Sequence, residues 1–593
     1  MITLNKILGK VNTSAAVALL ICVTMLVYAN SLKNSFVWDD GSVIAENDFV
    51  KSWTNFYRLF DKSYLTKFSD IDYIGKRDTG SGELSYRPVV TLSYFVDYAV
   101  WKLNPFGYHF TNIILHICNT ILLFILICFI AGKRSIALLT ALFFALHPIN
   151  AEAVAVISFR EDLFVFLFFI SAFIFYIKSR ENGGGRGAVF YTASLFMFLL
   201  ALFSKESSVI FPAVLLCYDY FFNKVPKNVF GHFKKYYLGY AGALLFYFIV
   251  RFILISNVDK PIVAQSMKSF GTIFFTMSKV FGAYIQWFLF PFNIHPTLPD
   301  DPRLISYSVF EPMVLLSALA VLALIFIAVK VRKKRIYFSF GVFWFFITLI
   351  PVSSILFPLT NYMAARYLYL PVAGLCFLTA AFFLHLSDIK VVSPPARIFK
   401  TASGHIVIVL LIFYALLTVK GNMNFKDNFV FWTQMADKYP NNALAHSNLA
   451  FILRKEGLLD KAIIEYKVAL NLNDKYANDH NALGVCYYEK GMFDEAAKEY
   501  DMALKIDPFL VSAYYNLGRI FDDKGSYREA MRCFEKAIQL DGQCLNAYND
   551  LGITYAKTGE FDKAVKMWEK VLQIDPDHKE AKTNMEKIKR LVN

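Results

Sequence analysis

Long apolar runs alternate with short polar breaks from the first residues to about position 420, after which the pattern changes to ordinary amphipathic helix. A helix needs roughly 20 mostly apolar residues to cross the hydrocarbon of a bilayer. On that measure the runs near 13–30, 107–131, 135–150, 162–178, 188–204, 207–222, 236–256, 309–330, 337–357, 366–386 and 402–419 read as about eleven spans. The stretch 272–291 is apolar too, but Pro291, Asn293, His295 and Pro296 close it. Such residues suit an irregular backbone shielded by protein, so a re-entrant or interfacial hairpin is expected there, inside an outer loop of 257–308. The first run follows Lys6 and Lys10 without a small-residue cleavage site behind it and reads as a retained anchor.

Beyond 420 the signal is a repeat. Leu449-Ala450, Leu483-Gly484, Leu517-Gly518 and Leu551-Gly552 recur at a period of 34, as do Gly457, Gly491, Gly525 and Gly559. Ala462, Ala496, Ala530 and Ala564 keep the same register, and so do the aromatics Tyr466, Tyr500, Phe534 and Trp568. Small residues let paired helices approach, aromatics fill the seam, and Pro508 and Pro576 stop two of the second helices. This is the tetratricopeptide pattern. Four repeats cover 443–578, a linker and half-repeat occupy 421–442, and a capping helix follows at 579–593. The fold expected is therefore all-α: a polytopic membrane domain over 1–420, then an α-solenoid.

Composition agrees with two bodies of different solvent. Of 593 residues 56% are hydrophobic and only 18% charged, against about 25% in a soluble chain. The net charge of +14 comes in short clusters between apolar runs, at 133–134, 178–186, 224–235, 330–335 and 390–400. Such clusters mark the cytoplasmic side of a membrane protein and give no footing for nucleic acid. With the N-terminus inside they all fall on that side, and an odd span count leaves the repeats outside, in periplasm or lumen. The eight cysteines are scattered without a CxxC pair, so neither a disulfide framework nor a metal knuckle is implied.

Candidate chemistry gathers on the outer side. The first outer loop, 31–106, carries Phe36-Val-Trp-Asp-Asp40 just past the first span. One carboxylate of such a pair can take a proton from an acceptor hydroxyl while the other positions the acceptor. The same residues serve equally as a solvated loop in which Asp40 caps the turn beginning at Gly41. Tyr86-Arg87-Pro88, His147-Pro148, Glu152, the run Arg160-Glu161-Asp162, Ser204-Lys205-Glu206 and Arg366 all fall on that side. Ionisable groups at membrane depth are costly and line a cavity or pathway, where Arg and Lys suit a phosphate. His109 and His116 share one helix face with Asn112 and read as packing, since a metal needs further ligands. No nucleotide-binding loop occurs, so ATP is not implied.

Val37-Trp-Asp-Asp40 after the first span, Tyr-Arg-Pro, His-Pro-Ile-Asn-Ala-Glu152, Ser-Lys-Glu and the Arg-Tyr-Leu-Tyr-Leu-Pro run, in this order, resemble one known family. The chain is similar to the transmembrane and tetratricopeptide repeat-containing proteins, relatives of the GT-C membrane glycosyltransferases that include protein O-mannosyltransferases. The resemblance implies an inverting transfer of one mannose-like sugar from a polyprenyl-phosphate donor to an acceptor hydroxyl on the outer face. It implies Asp39 as base, with Asp40 positioning the acceptor or a divalent cation (Mg or Mn). Arg87, Lys205 and Arg366 are then candidates for the donor phosphate. His147, Glu152, Arg160 and Glu206 are candidates for hydrogen bonds in the cavity, and the repeats for recruiting a protein or peptide acceptor. Four complete repeats and few cysteines outside the membrane favour a bacterial or archaeal cytoplasmic membrane, with the endoplasmic reticulum membrane the alternative for a eukaryotic chain.

Two other readings use the same residues. A membrane-anchored repeat scaffold for envelope or secretion assembly explains the repeats but not many spans with charged residues gathered on one side. A transporter of lipid-linked sugars would show halves related by internal symmetry and matched broken helices, and neither is evident.

Overall fold

The computed structural model describes residues 4–60, 86–222, 229–255, 269–292, 294, 296–297, 303–355, 359, 361–388 and 394–592. Part of the first outer loop (61–85), much of 257–308 including Asn293 and His295, and parts of the basic clusters at 224–235 and 390–400 lie outside the described residues. Among the described residues there is helix and no strand. The chain divides into two compact units, Met1–Phe431 and Trp432–Asn593.

In the first unit the apolar runs become helices whose ends follow local chemistry. Pro105–Ala131 begins with proline at a position where no N–H is needed, capped by Asn104, whose side chain accepts the Phe106 N–H. It ends at Gly132 in the left-handed region, φ +62°. Among the described residues six helices are long and apolar enough to cross a membrane: Thr13–Lys33, Pro105–Ala131, Ile157–Glu181, Gly184–Leu202, Pro312–Val331 and Gly404–Met423. The pair Arg134–Leu146 and Pro148–Ala155, bent by 50°, makes a seventh if it counts as one span. Three shorter apolar helices, Leu238–Leu254, Ile336–Val352 and Val372–Ser387, coincide with three further runs of the eleven. Burial separates centre from periphery: 67% of an 18-residue stretch of Ile157–Glu181 is buried, but only 11% of the corresponding stretch of Pro312–Val331. The latter exposes Leu315, Leu316, Leu319, Leu322 and Phe326, a face suited to lipid.

The structure differs from expectation at 272–291, where Phe270–Leu289 is a single helix rather than a hairpin. Ser269 caps its start by accepting the Thr272 N–H. The prolines and polar residues that suggested an irregular backbone lie past its end, from Pro291 onward. Gly282 does not break it; a Cβ there would stand 2.1 Å from Ser317 Oγ, so glycine is what lets Pro312–Val331 lie close. Met277, Val280, Tyr284, Trp287 and Phe288 enter the main apolar core.

The second unit stacks helix pairs: Ala443–Lys455 with Leu459–Leu472, Ala477–Glu489 with Phe493–Ile506, Val511–Asp523 with Tyr527–Leu540, and Leu545–Lys557 with Phe561–Ile574, then Lys579–Val592. The turn glycines have φ between +74° and +81°, a conformation that side chains disfavour. Neighbouring repeats are tied by Arg454–Glu489 (2.7 Å), Tyr488–Asp523 (2.5 Å) and Tyr515–Asp550 (2.9 Å), and by Lys557–Asp522. The period-34 glycines sit against the period-34 aromatics: a Cβ at Gly518 would meet Phe534 Cε1 at 2.7 Å. Gly518→Ala should therefore destabilise the stack by about 1–3 kcal/mol. Gly542→Ala, whose Cβ meets nothing within 4 Å, should be close to neutral. Thermal unfolding of the two variants checks this, and equal midpoints would contradict it.

Candidate functional site

The acidic loop is a held segment rather than a solvated one. After the first span and a turn over Ala29–Lys33, residues 34–38 run beside 422–428. The Ser35 N–H donates to the Lys426 carbonyl (2.8 Å), and Asn34 Nδ2 donates to the Asn422 carbonyl (3.1 Å). Trp38 has φ +58°, a left-handed backbone that for a bulky residue costs on the order of 1–3 kcal/mol and persists only when surroundings impose it. The turn sets the two carboxylates in different roads. Asp39 is 2% exposed and Asp40 fully buried. Asp40 accepts peptide N–H groups from Val37 (3.1 Å) and Ile157 (3.4 Å) on one oxygen and from Ser158 (2.6 Å) on the other. It thereby pins the loop to the turn that precedes helix Arg160–Glu181.

Burial pushes the Asp40 carboxyl up to about 6, against the pull of the Val37, Ser158 and Ile157 N–H groups. The folded protein holds this proton more tightly than the unfolded chain does. The stability it contributes is complete below the ordinary value of 3.8 and is lost as pH rises through about 6. Asp40→Asn has no proton to lose. Its melting midpoint should change less than that of the wild type between pH 3.8 and about 6, and parallel pH profiles would contradict the assignment.

Beside the loop lies a chain of ion pairs drawn from distant parts of the sequence. Arg87, ahead of helix Pro88–Trp101, reaches Glu161 (3.0 Å) and Glu206 (3.1 Å). Arg251 also faces Glu206 (3.7 Å). Lys205 bonds Asp162 (2.7 Å) and lies 3.6 Å from Glu161. Arg366, in a turn over Ala365–Leu368, pairs with Glu152 at 2.8 Å, and the other Glu152 oxygen accepts the Ala365 N–H. The Tyr367 ring joins the two groups, with Lys205 Nζ at 5.6 Å and the Arg366 guanidinium at 5.1 Å from its centroid. Arg366 lies 3.9 Å from the Phe159 ring and 5.8 Å from that of Trp38, which brings the network up to the acidic loop.

Four cations thus meet four carboxylates, Glu152, Glu161, Asp162 and Glu206, so the buried charge is balanced. Burial opposes ionisation of Glu206, but Arg87 and Arg251 outweigh it and hold the carboxyl well below the usual carboxylate range. Burial likewise opposes the charge on Lys205, and Asp162 and Glu161 more than restore it. Arg251 (28% exposed) and Arg87 (17%) are the cations that solvent or a ligand reaches most easily.

Of the residues singled out in the sequence, the structure gathers Arg87, Lys205, Glu206, Glu152 and Arg366, and sets Asp39 and Asp40 beside them. It places two elsewhere. Arg160, fully buried, bonds Asp97 (2.6 Å), Asn112 (2.7 Å), Ser93 (3.0 Å) and the Tyr108 carbonyl (3.0 Å), anchoring helix Pro88–Trp101. His147 sits at the 50° bend, accepting the Ile149 N–H on Nδ1, reaching the Phe288 carbonyl from Nε2 (3.1 Å) and stacking on the Phe288 ring. Glu161 and Asp162 carried no assigned role in the sequence; Glu161 bridges Arg87 and Lys205, and Asp162 pairs with Lys205. Arg251 was missed, although it is the one charge in the run 236–256 and so carried a legible signal.

Both Asp40 oxygens face peptide N–H donors, which repel a cation. Among the described residues no three His, Cys, Asp or Glu side chains form a metal-binding group.

Comparison with known proteins bears on both units. The family model described as tetratricopeptide repeat matches residues 511–544 and 545–578, and one described as TPR repeat matches 486–522. A Caenorhabditis elegans protein O-mannosyl-transferase is 25% identical over 477 residues, covering 77% of this chain and 63% of its own. Human protein O-mannosyl-transferase TMTC1 is 27% identical over 523 residues, covering 79% of this chain and 56% of its own. Human protein O-mannosyl-transferase TMTC2 is 32% identical over 200 residues, 33% of this chain and 23% of its own. The chain spans about three fifths of the length of the first two relatives. Over most of its length the chain is TMTC-like, and it carries tetratricopeptide repeats.

Proposed function

We propose that this chain is an inverting glycosyltransferase of GT-C type. In this reading it moves one sugar, mannose-like, from a polyprenyl-phosphate donor to a hydroxyl of a protein acceptor. The observation that carries the reading is the convergence of Arg87, Arg251, Lys205 and Arg366 beside a buried acidic loop in a unit built of apolar helices. A lipid-linked anionic donor needs those three things together: an apolar face for its tail, cations for its phosphate and a base for its acceptor.

The step balances simply. The acceptor oxygen attacks the anomeric carbon from the side opposite the phosphate, and the carbon–oxygen bond to phosphate breaks with its electron pair. The acceptor proton passes to the Asp39 carboxylate, and the cations stabilise the charge gathering on the leaving phosphate. Asp39 is assigned as base because Asp40 is committed to three peptide N–H groups. No step passes through a metal ion.

For sidedness, the N-terminus is assigned to the cytoplasm and the repeats to the outer side of a bacterial or archaeal membrane, where they present the acceptor. Helix Phe270–Leu289 stays in the outer loop in this assignment. With it there, the cluster at 330–335 remains cytoplasmic.

The test uses purified protein in detergent with an acceptor peptide pool and labelled polyprenyl-phosphate mannose or, in parallel, polyprenyl-phosphate glucose. Label leaving the lipid in proportion to protein is expected with the first. Label retained on both lipids, by protein shown to be folded, would overturn the reading.

A further inference from the structure

The loop that carries Asp39 is held by a residue outside both the ion-pair network and the acidic pair. Asn428 opens helix Asn428–Lys438, yet it does not cap that helix: the Asp427 carboxylate accepts the Val430 N–H at 2.8 Å. The Asn428 side chain instead turns across to the loop. Its Oδ1 accepts the Trp38 N–H at 2.9 Å, and its Nδ2 donates to the Phe36 carbonyl at 3.4 Å. One amide thus pairs with both peptide groups that flank Val37, much as a neighbouring strand would.

The bond falls on the residue where the chain is least comfortable. Trp38 is one of two non-glycine residues with positive φ among the described residues, and it immediately precedes Asp39. Its ring rests on Phe431, three residues past Asn428, with centroids 5.0 Å apart. The segment 428–431 therefore holds the Trp38 peptide and one side of its ring, while Phe159 packs edge-on against the ring at 5.3 Å. The direction of the Asp39 side chain follows from the ψ of Trp38 and the φ of Asp39, so whatever holds Trp38 aims Asp39.

We infer that Asn428 is a positioning residue for Asp39, holding the Trp38 peptide in its left-handed conformation through a two-way amide bond to the loop. The inference rests on the reading of Asp39 as the base that accepts the acceptor's proton. It predicts a kinetic signature that packing alone does not produce. Misaiming a base slows the chemical step and leaves donor binding alone.

The experiment compares Asn428→Leu, which keeps the branched shape and removes both hydrogen bonds, with Asn428→Asp, which keeps the acceptor for Trp38. Two readouts are taken on the full chain: transfer kinetics with polyprenyl-phosphate mannose, and hydrogen exchange at the Trp38 amide. Asn428→Leu should lower kcat by about 10²-fold, the scale of a loss of alignment near 1 Å. Its KM for the lipid donor should stay within about 2-fold, and Trp38 amide protection should be lost. Asn428→Asp should keep kcat within about 5-fold and keep the protection. Wild-type kcat in Asn428→Leu, or an equal fall in both variants, would overturn the inference. If the wild type transfers no sugar, the transferase reading fails, and exchange decides the rest. Protection lost only in Asn428→Leu upholds the hold on the loop, and protection unchanged in both removes it.

Discussion

Asp39→Asn should lower sugar transfer by about 10³-fold, within the range that a positioned general base contributes, while the melting midpoint stays where it was. Asp40→Asn should remain folded and keep most of its activity. The contrast follows from what each carboxylate touches. Asp40 binds three peptide N–H groups of its own chain, and an asparagine oxygen keeps at least the shortest of them, from Ser158 at 2.6 Å. Removing the acceptor altogether is different. Asp40→Ala leaves three buried donors without it and should cost about 1–3 kcal/mol of stability at the least. Transfer rates and thermal midpoints of the three variants, measured side by side, decide the assignment. A larger rate loss in Asp40→Asn than in Asp39→Asn would reverse the roles given to the pair.

The second large effect belongs to Arg366. Its guanidinium is 5% exposed, and its partner Glu152 is 3% exposed. Arg366→Met fills similar volume but strands a buried carboxylate, a change that costs about 3–5 kcal/mol when one member of a buried pair is removed. Glu152→Gln added to Arg366→Met removes the stranded charge, and its amide oxygen can still accept the Ala365 N–H. The double variant should recover more than half of the lost stability. Recovery of stability should not restore transfer, because the cation beside Phe159 and Trp38 is gone. A stability cycle with no coupling between the two positions would mean that the pair does not bear on the fold as its geometry indicates.

What the sequence makes legible, and what it hides, follows from the range of each interaction. The repeats are visible because their determinants are local and periodic: Gly518 answers Phe534 and Gly552 answers Trp568 within one helix pair. The apolar runs are visible because length and composition suffice to define them. The ion-pair network is not, since Arg87 and Glu206 lie 119 residues apart and Arg366 and Glu152 lie 214 apart. Span parity groups such residues by side of the membrane but does not pair them. It therefore sets Arg160 among them, whereas its side chain turns to Asp97 and Asn112. The bonds that commit Asp40 come from the peptide N–H groups of Ile157 and Ser158, which leave no mark in the sequence at all. At 272–291 the helix-ending residues were visible, but their place after Leu289 rather than within the run was the deciding fact.

The most direct test of the central claim is mass analysis of an acceptor peptide pool incubated with the purified chain and isotope-labelled polyprenyl-phosphate mannose. One labelled hexose on serine or threonine side chains is expected with wild type and none with Asp39→Asn. Unmodified peptides with folded wild-type protein, or equal labelling by wild type and Asp39→Asn, would contradict it.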